Sequence, residues 1–234
     1  MLAGHGQGEA GQELEATVLF ADLQDSTALA ERLSPTRFSE LLRGFYAVAT
    51  EVITARGGTI DKFLGDGLVA LFLPGPSGLD HARRALAAAH ALIAALDPDG
   101  DGHPWPPVRI GVHSGRVWLG PVPGPHGRGD VTALGDTVNV TAHLCGAAPA
   151  GHVAASAEAL RAAGRPVVDD ASPAMQLKGR RERVRARVYR PHREPAQSCF
   201  AAAFGASNSL RYSPYPSASS LSTGMKRSAA ELMQ

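Results

Sequence analysis

Apolar residues along this chain alternate in some stretches and recur every third or fourth position in others. The switches between the two spacings predict strands interleaved with helices. Glu15 to Asp22 reads as a buried strand that ends in a carboxylate. Phe38, Leu41, Leu42, Phe45, Val48, Val52 and Ile53 then follow helical spacing. Ser34 is placed as N-cap, Pro35 sits at the first helical position, and Gly57-Gly58 ends the helix. A hairpin is predicted next: Thr59 to Leu64, a Gly65-Asp66-Gly67 turn, then Leu68 to Leu73. A second helix over Leu79 to Leu96 carries the stripe Ala82, Ala85, Leu86, Ala89, Leu92, Ile93 and Leu96. Val108, Ile110 and Val112 alternate with Arg109, Gly111 and His113 as in a half-buried strand, and Ser114-Gly115 is expected to turn the chain into Arg116 to Leu119. After a Pro/Gly loop from Pro121 to Gly129, Gly135-Asp136 should cap a helix over Thr137 to Ala147. Another helix is expected from Ser156 to Ala163, with short strands and a hairpin around Gly179 beyond it. Such a series predicts an α+β domain with helices on one face of a mostly antiparallel sheet.

Composition bounds this picture. The 234 residues are 44% hydrophobic and 19% charged, enough for one good-sized core. That core is expected over residues 14–191, preceded by a Gly-rich, flexible stretch at 1–13. A Ser/Ala/Pro-rich tail over 192–234 lacks apolar periodicity and is expected to be disordered. A net charge of +1 gives no global field toward nucleic acid or an anionic membrane. Two cysteines, Cys145 and Cys199, are too few for a disulfide framework or a four-thiolate metal site, and are read as thiols. No apolar run reaches the roughly 18 residues of a membrane helix, and the N-terminus lacks the features of a secretory signal; a cytoplasmic protein is the expectation. Asp97-Pro98-Asp99-Gly100-Asp101-Gly102 opens like a calcium loop but has Val108 at the closing position, so it reads as a turn.

The candidate chemistry starts with two acids. Asp22 ends one strand and Asp66 tips the following hairpin. If the two strands are neighbours, both carboxylates emerge at one sheet edge, where they repel unless a cation lies between them. Mg²⁺ takes one or two carboxylates plus substrate phosphates, which suits such a pair. A turn-forming Asp66 and a helix-capping Asp22 are the plainer alternative. Between strand and helix, Leu23-Gln24-Asp25-Ser26-Thr27 offers backbone N–H groups that could cradle phosphate.

Four ordered blocks together carry a more specific message. They are Phe20-Ala21-Asp22-Leu23 with Ser26-Thr27, Asp61 to Gly67 (DKFLGDG), Arg109 to Gly115 (RIGVHSG), and Leu134 to Asn139 (LGDTVN). In these blocks the chain resembles the class III adenylate/guanylate cyclase catalytic domain. The resemblance implies a ferredoxin-like nucleotide cyclase domain that works as a homodimer with shared active sites. It also implies conversion of ATP or GTP to a 3′,5′-cyclic nucleotide and pyrophosphate, with two Mg²⁺ (or Mn²⁺) as cofactors. Asp22 and Asp66, with the Leu23 carbonyl, match its metal ligands, and Arg109 matches a phosphate-binding arginine. Lys62 and Thr132, from the other subunit, match the purine-reading pair; a Lys donor suits adenine N1 and a hydroxyl can accept from the adenine amino group, which favours ATP. The pair resembles that of a bacterial subgroup that prefers ATP, some of whose members respond to bicarbonate. Lys178 matches a lysine for the terminal phosphates.

One position departs from that pattern. Asn139 and His143 share a helix face, and in the family the second of the pair is Arg, which stabilises charge on the α-phosphate. Histidine is shorter and lacks the permanent charge and donor fork. The alternative is therefore a catalytically degenerate domain that binds nucleotide and regulates a partner. Arg183, Arg185 and Arg187 alternate with Val184, Ala186 and Val188, which reads as one solvated strand face. No aromatic set is interleaved, so nucleic acid is not an expected partner.

Overall fold

The computed structural model describes residues 11–96, 106–122, 130–165, 174–176 and 183–191. The Asp97–Gly102 turn, most of the Pro/Gly loop, Lys178, Gly179, Cys199 and the tail lie outside the described residues.

The elements run β1 (Gln12–Leu23), α1 (Ser26–Arg32), α2 (Pro35–Thr54), β2 (Thr59–Leu64), β3 (Gly67–Phe72), α3 (Pro74–Ser77) and α4 (His81–Leu96). They continue with β4 (Val108–Val122), β5 (Asp130–Leu134), α5 (Asp136–Ala147), β6 (Val153–Ser156), α6 (Ala157–Ala162), β7 (Ala174–Met175) and β8 (Val184–Tyr189). The sheet order is β2-β3-β1-β4-β6-β8-β7, with β5 pairing on β4. β4 and β6 run parallel, and the other pairings are antiparallel. The expected α+β class with a mostly antiparallel sheet is what forms.

Local sequence explains the long helices. Ser34 caps α2 by accepting from the Arg37 N–H, with Pro35 at the first position, and its stripe buries Leu41, Phe45, Ala49 and Ile53. Every residue of the expected α4 stripe is buried, joined by Ala88. Both helices and α6 pack on Leu19, Ala21 and Leu23 of β1, the even-numbered residues of β3, and Ile110 and Val112 of β4. Each large side chain fully buried there, such as Phe45 or Phe72, contributes about 1.5–3 kcal/mol.

Three expectations need correction. Helices do not keep to one face. Val140 and Leu144 of α5 pack with Ala154 and Ala186, whereas Val153 and Ala155 of the same strand β6 face the α4 and α6 side, and alternate strand residues point to opposite faces. Ser114-Gly115 is not a turn. β4 runs straight through it, because β1 pairs with it over twelve residues, Ser114 opposite Thr17 and Gly115 opposite Ala16. The Ser114 and Thr17 hydroxyls hydrogen-bond at 2.7 Å, and a Cβ at Gly115 would come within 2.8 Å of Thr137 Oγ1 on α5. That glycine makes room for a helix rather than for a bend. Finally, α4 starts at His81 and follows the short α3, while Leu79 is exposed.

Candidate active site

β1 lies between β3 and β4, with Asp22 opposite Gly67 on one side and Arg109 on the other. The strand therefore delivers Asp22 beside the tip of the β2–β3 hairpin, which carries Asp66. The Leu23 N–H donates to the Asp66 carbonyl at 3.1 Å, and the Ser26 hydroxyl donates to the Asp66 carboxylate. Tyr46 of α2 donates its hydroxyl to the Gly65 carbonyl and stacks on Phe63 at 4.3 Å, so both sides of the tip are held. The chain reverses from β1 into α1 through Asp25, at φ 58, a left-handed conformation that Asp tolerates better than most residues.

Arg109 meets Asp22 with a forked contact, Nε at 2.8 Å and Nη2 at 2.6 Å from Oδ2, and its Nη1 reaches the Gly146 carbonyl of α5 at 3.4 Å. Burial pushes the Asp22 carboxyl above its usual range; the Arg109 hydrogen bond opposes that shift and the Asp66 charge adds to it. Leu23, Asp25, Ser26, Thr27, Ala28, Glu31, Asp66 and Arg109 line a cleft of ≈ 380 Å³ at this point. Among the described residues, no three His, Cys, Asp or Glu side chains gather as a metal cluster. Two carboxylates plus a backbone carbonyl form an oxygen set suited to Mg²⁺, which draws its remaining ligands from water and phosphate. In this structure one oxygen of each acid is already engaged, Asp22 by Arg109 and Asp66 by Ser26, which leaves the second oxygen of each as the candidate ligand.

The other predicted residues stand apart from this cleft. Lys62 and Thr132 do meet each other, through Asp61: Lys62 Nζ lies 3.1 Å from Asp61 Oδ2, and Thr132 Oγ1 donates to the same oxygen at 2.9 Å. Asn139 is exposed and His143 half-buried on α5, and neither lines the cleft. Gln24 donates its N–H to the Pro107 carbonyl at 2.9 Å and is also absent from the lining. α5 is seated against β4 by Gly111, where a Cβ would lie 2.3 Å from the Thr141 carbonyl. Burial pushes the adjacent Cys145 thiol up to about 12, which makes it an inert packing group whose S–H points at the Arg109 carbonyl.

Sequence reasoning passed over Tyr46, Glu31 and the role of Asp61. Tyr46 lies next to the apolar stripe of α2, with no local mark of a polar task. The part played by Asp61 depends on a bulge that spacing alone does not reveal.

Residues 9–188 match the adenylate and guanylate cyclase catalytic domain, and the chain belongs to that family. It is 34% identical to adenylate cyclase 1 of Rhizobium meliloti over 149 residues, which cover 62% of this chain and 22% of that protein. It is 35% identical to an adenylate cyclase of Anabaena cylindrica over 139 residues, 56% of this chain and 26% of that one. The chain thus spans about a quarter of the length of these curated relatives. Among solved structures, the guanylyl cyclase Cya2 superimposes with a TM-score of 0.70 at 30% identity, covering 80% of this chain and 98% of that one. The adenylyl cyclase CyaB from P. aeruginosa gives 0.66 at 26% identity, covering 78% and 97%. No helix among the described residues is long and apolar enough to cross a membrane.

Proposed function

We propose that this domain converts ATP to 3′,5′-cyclic AMP and pyrophosphate, as a homodimer in which each site draws on both copies. The observation that carries the reading is the meeting of Asp66 and Arg109 in the lining of one cleft beside the start of α1, with Asp22, outside that lining, hydrogen-bonded to Arg109. Asp22, Asp66 and the Leu23 carbonyl would hold two Mg²⁺ or Mn²⁺. Bound there, the ions would lower the cost of ionising the ribose 3′-hydroxyl and neutralise the triphosphate.

The chain's own residues do the remaining work. Arg109, held in place by Asp22, offers its remaining N–H donors to phosphate oxygens, and the backbone of Asp25, Ser26 and Thr27 at the start of α1 faces the same charge, while the Leu23 and Gln24 N–H groups are taken by Asp66 and Pro107. The ribose 3′-oxygen bonds to the α-phosphorus as the bond to the bridging oxygen breaks, releasing pyrophosphate and the hydroxyl proton. Lys62 and Thr132 of the second copy recognise adenine, Asn139 orients the ribose, and Lys178 meets the terminal phosphates. Dimerisation is supported by the exposed apolar side chains Phe63, Leu64, Val131 and Leu134, a set that favours a partner surface. It is supported too by the absence of Lys62, Thr132, Asn139 and His143 from the lining of the cleft in one chain.

A second reading rests on His143: a domain that binds nucleotide and regulates a partner without turnover. Purified protein incubated with Mn²⁺ and either ATP or GTP separates the two. Cyclic AMP formed faster than cyclic GMP supports the cyclase, and bound but unchanged nucleotide supports the regulator.

A further inference from the structure

The purine-reading pair is held by a third residue, Asp61. β2 and β3 pair as Ile60 with Ala70 and then Lys62 with Val69, so Asp61 is the extra residue of a β-bulge with no partner across the ladder. A bulge re-aims the side chain it carries. Here Asp61 turns to β5, where its side chain is 1% exposed. Oδ1 accepts from the Ala133 N–H at 3.1 Å, and Oδ2 accepts from the Thr132 hydroxyl at 2.9 Å with Lys62 Nζ at 3.1 Å.

A carboxylate only accepts, whereas a threonine hydroxyl has one proton and two lone pairs. With that proton committed to Asp61, Thr132 can show a ligand only lone pairs. The Lys62 ammonium, one of its three donors engaged, can show only donors. We propose that Asp61 sets the polarity of this pair, making Thr132 an obligate acceptor beside an obligate donor, and so selects a 6-aminopurine over a 6-oxopurine. Adenine supplies the complement, an N1 acceptor and an N6 donor. Guanine opposes both, with an N1–H donor facing the ammonium and an O6 acceptor facing the lone pairs. Asp61 touches no substrate atom; it is a positioning residue that acts through Thr132 and Lys62. The inference rests on the cyclase reading for its ligand and adds to it a structural source of base choice.

Asp61→Asn is the direct test. If its amide oxygen keeps the Ala133 N–H, the NH₂ faces Thr132, and the hydroxyl must turn its proton outward. The readout is displacement of a fluorescent nucleotide by α,β-methylene-ATP against α,β-methylene-GTP, with melting temperature as a folding control. The wild type should favour the adenine analogue, and Asp61→Asn should cut that ratio by roughly tenfold, through weaker adenine and stronger guanine binding. A folded Asp61→Asn protein with an unchanged ratio overturns the inference, as does equal weakening of both analogues. Should Asp61→Asn fail to fold, Thr132→Val decides instead. A proton-locked hydroxyl predicts weaker adenine and stronger guanine binding in that variant, whereas a freely rotating one predicts equal losses and refutes the lock. Wild-type protein that forms no cyclic AMP would defeat the enzyme reading alone, because the displacement ratio does not depend on turnover.

Discussion

At Gly111 the backbone of α5 lies close against β4, and Gly111→Ala tests whether that approach positions the helix face that carries Asn139 and His143, proposed above to act in catalysis. An added Cβ would lie 2.3 Å from the Thr141 carbonyl oxygen and 2.5 Å from the Cys145 nitrogen, both backbone atoms. No rotamer change relieves either contact. Ordinary packing begins near 3.4 Å, so α5 must retreat from β4 by about 1 Å. Overpacking of this kind costs about 1–3 kcal/mol, which in a domain of this size lowers Tm by roughly 3–10 °C. The same retreat carries Asn139 and His143 with it, and a misplacement of about 1 Å can cost on the order of 10² in rate. Differential scanning calorimetry and steady-state kinetics on the purified variant measure the two effects. Nucleotide affinity at the Lys62/Thr132 end should change far less than kcat, because that pair is carried by β2 and β5. A variant that melts within about 2 °C of the wild type and turns over at the same rate would refute the packing argument.

Two further outcomes follow from single residues. On the proposed reading His143→Arg brings a permanent charge and a donor fork toward the α-phosphate and should raise kcat on the order of 10²-fold, the usual worth of one transition-state donor; an inert wild type with an equally inert Arg variant would show that His143 is not the defect. His81 receives a 2.9 Å contact from Thr17 Oγ1 at Nδ1, and burial depresses its basicity despite the neighbouring Glu15 and Asp80 carboxylates. The unfolded chain takes up that proton near pH 6.5 and the folded chain only lower, so this contribution to stability is complete above about 6.5 and is lost as pH falls below it. Urea denaturation at pH 7.5 and 5.5 should therefore show a larger acid loss in the wild type than in His81→Asn, and equal losses would contradict the assignment.

Much of this architecture is legible in the sequence for a simple reason. α2 and α4 bury one stripe each, so their 3.6-residue period survives in the order of residues, and Asp22 and Asp66 follow from strand endings and a Gly-flanked turn. What stays hidden depends on partners far along the chain. Ser114-Gly115 reads as a turn locally, yet the β1 ladder holds it extended and α5 occupies the space the glycine leaves. β5, five residues with little apolar alternation, exists because β4 continues past Gly115 to pair with it. α1 interrupts what reads as a connection, and the left-handed Asp25 before it is invisible without coordinates. Asp61 looks like an ordinary polar strand residue until the bulge turns it inward beneath Thr132.

The claim on which the account turns is that paired acids from adjoining strands grip divalent ions against a triphosphate. Electron paramagnetic resonance of free Mn²⁺, titrated into the protein with α,β-methylene-ATP present, counts bound ions without requiring turnover. Wild-type protein should bind Mn²⁺ in a nucleotide-dependent manner, with the affinity lowered by at least about tenfold in Asp22→Asn and in Asp66→Asn. Ion binding that persists undiminished in both folded variants would contradict it.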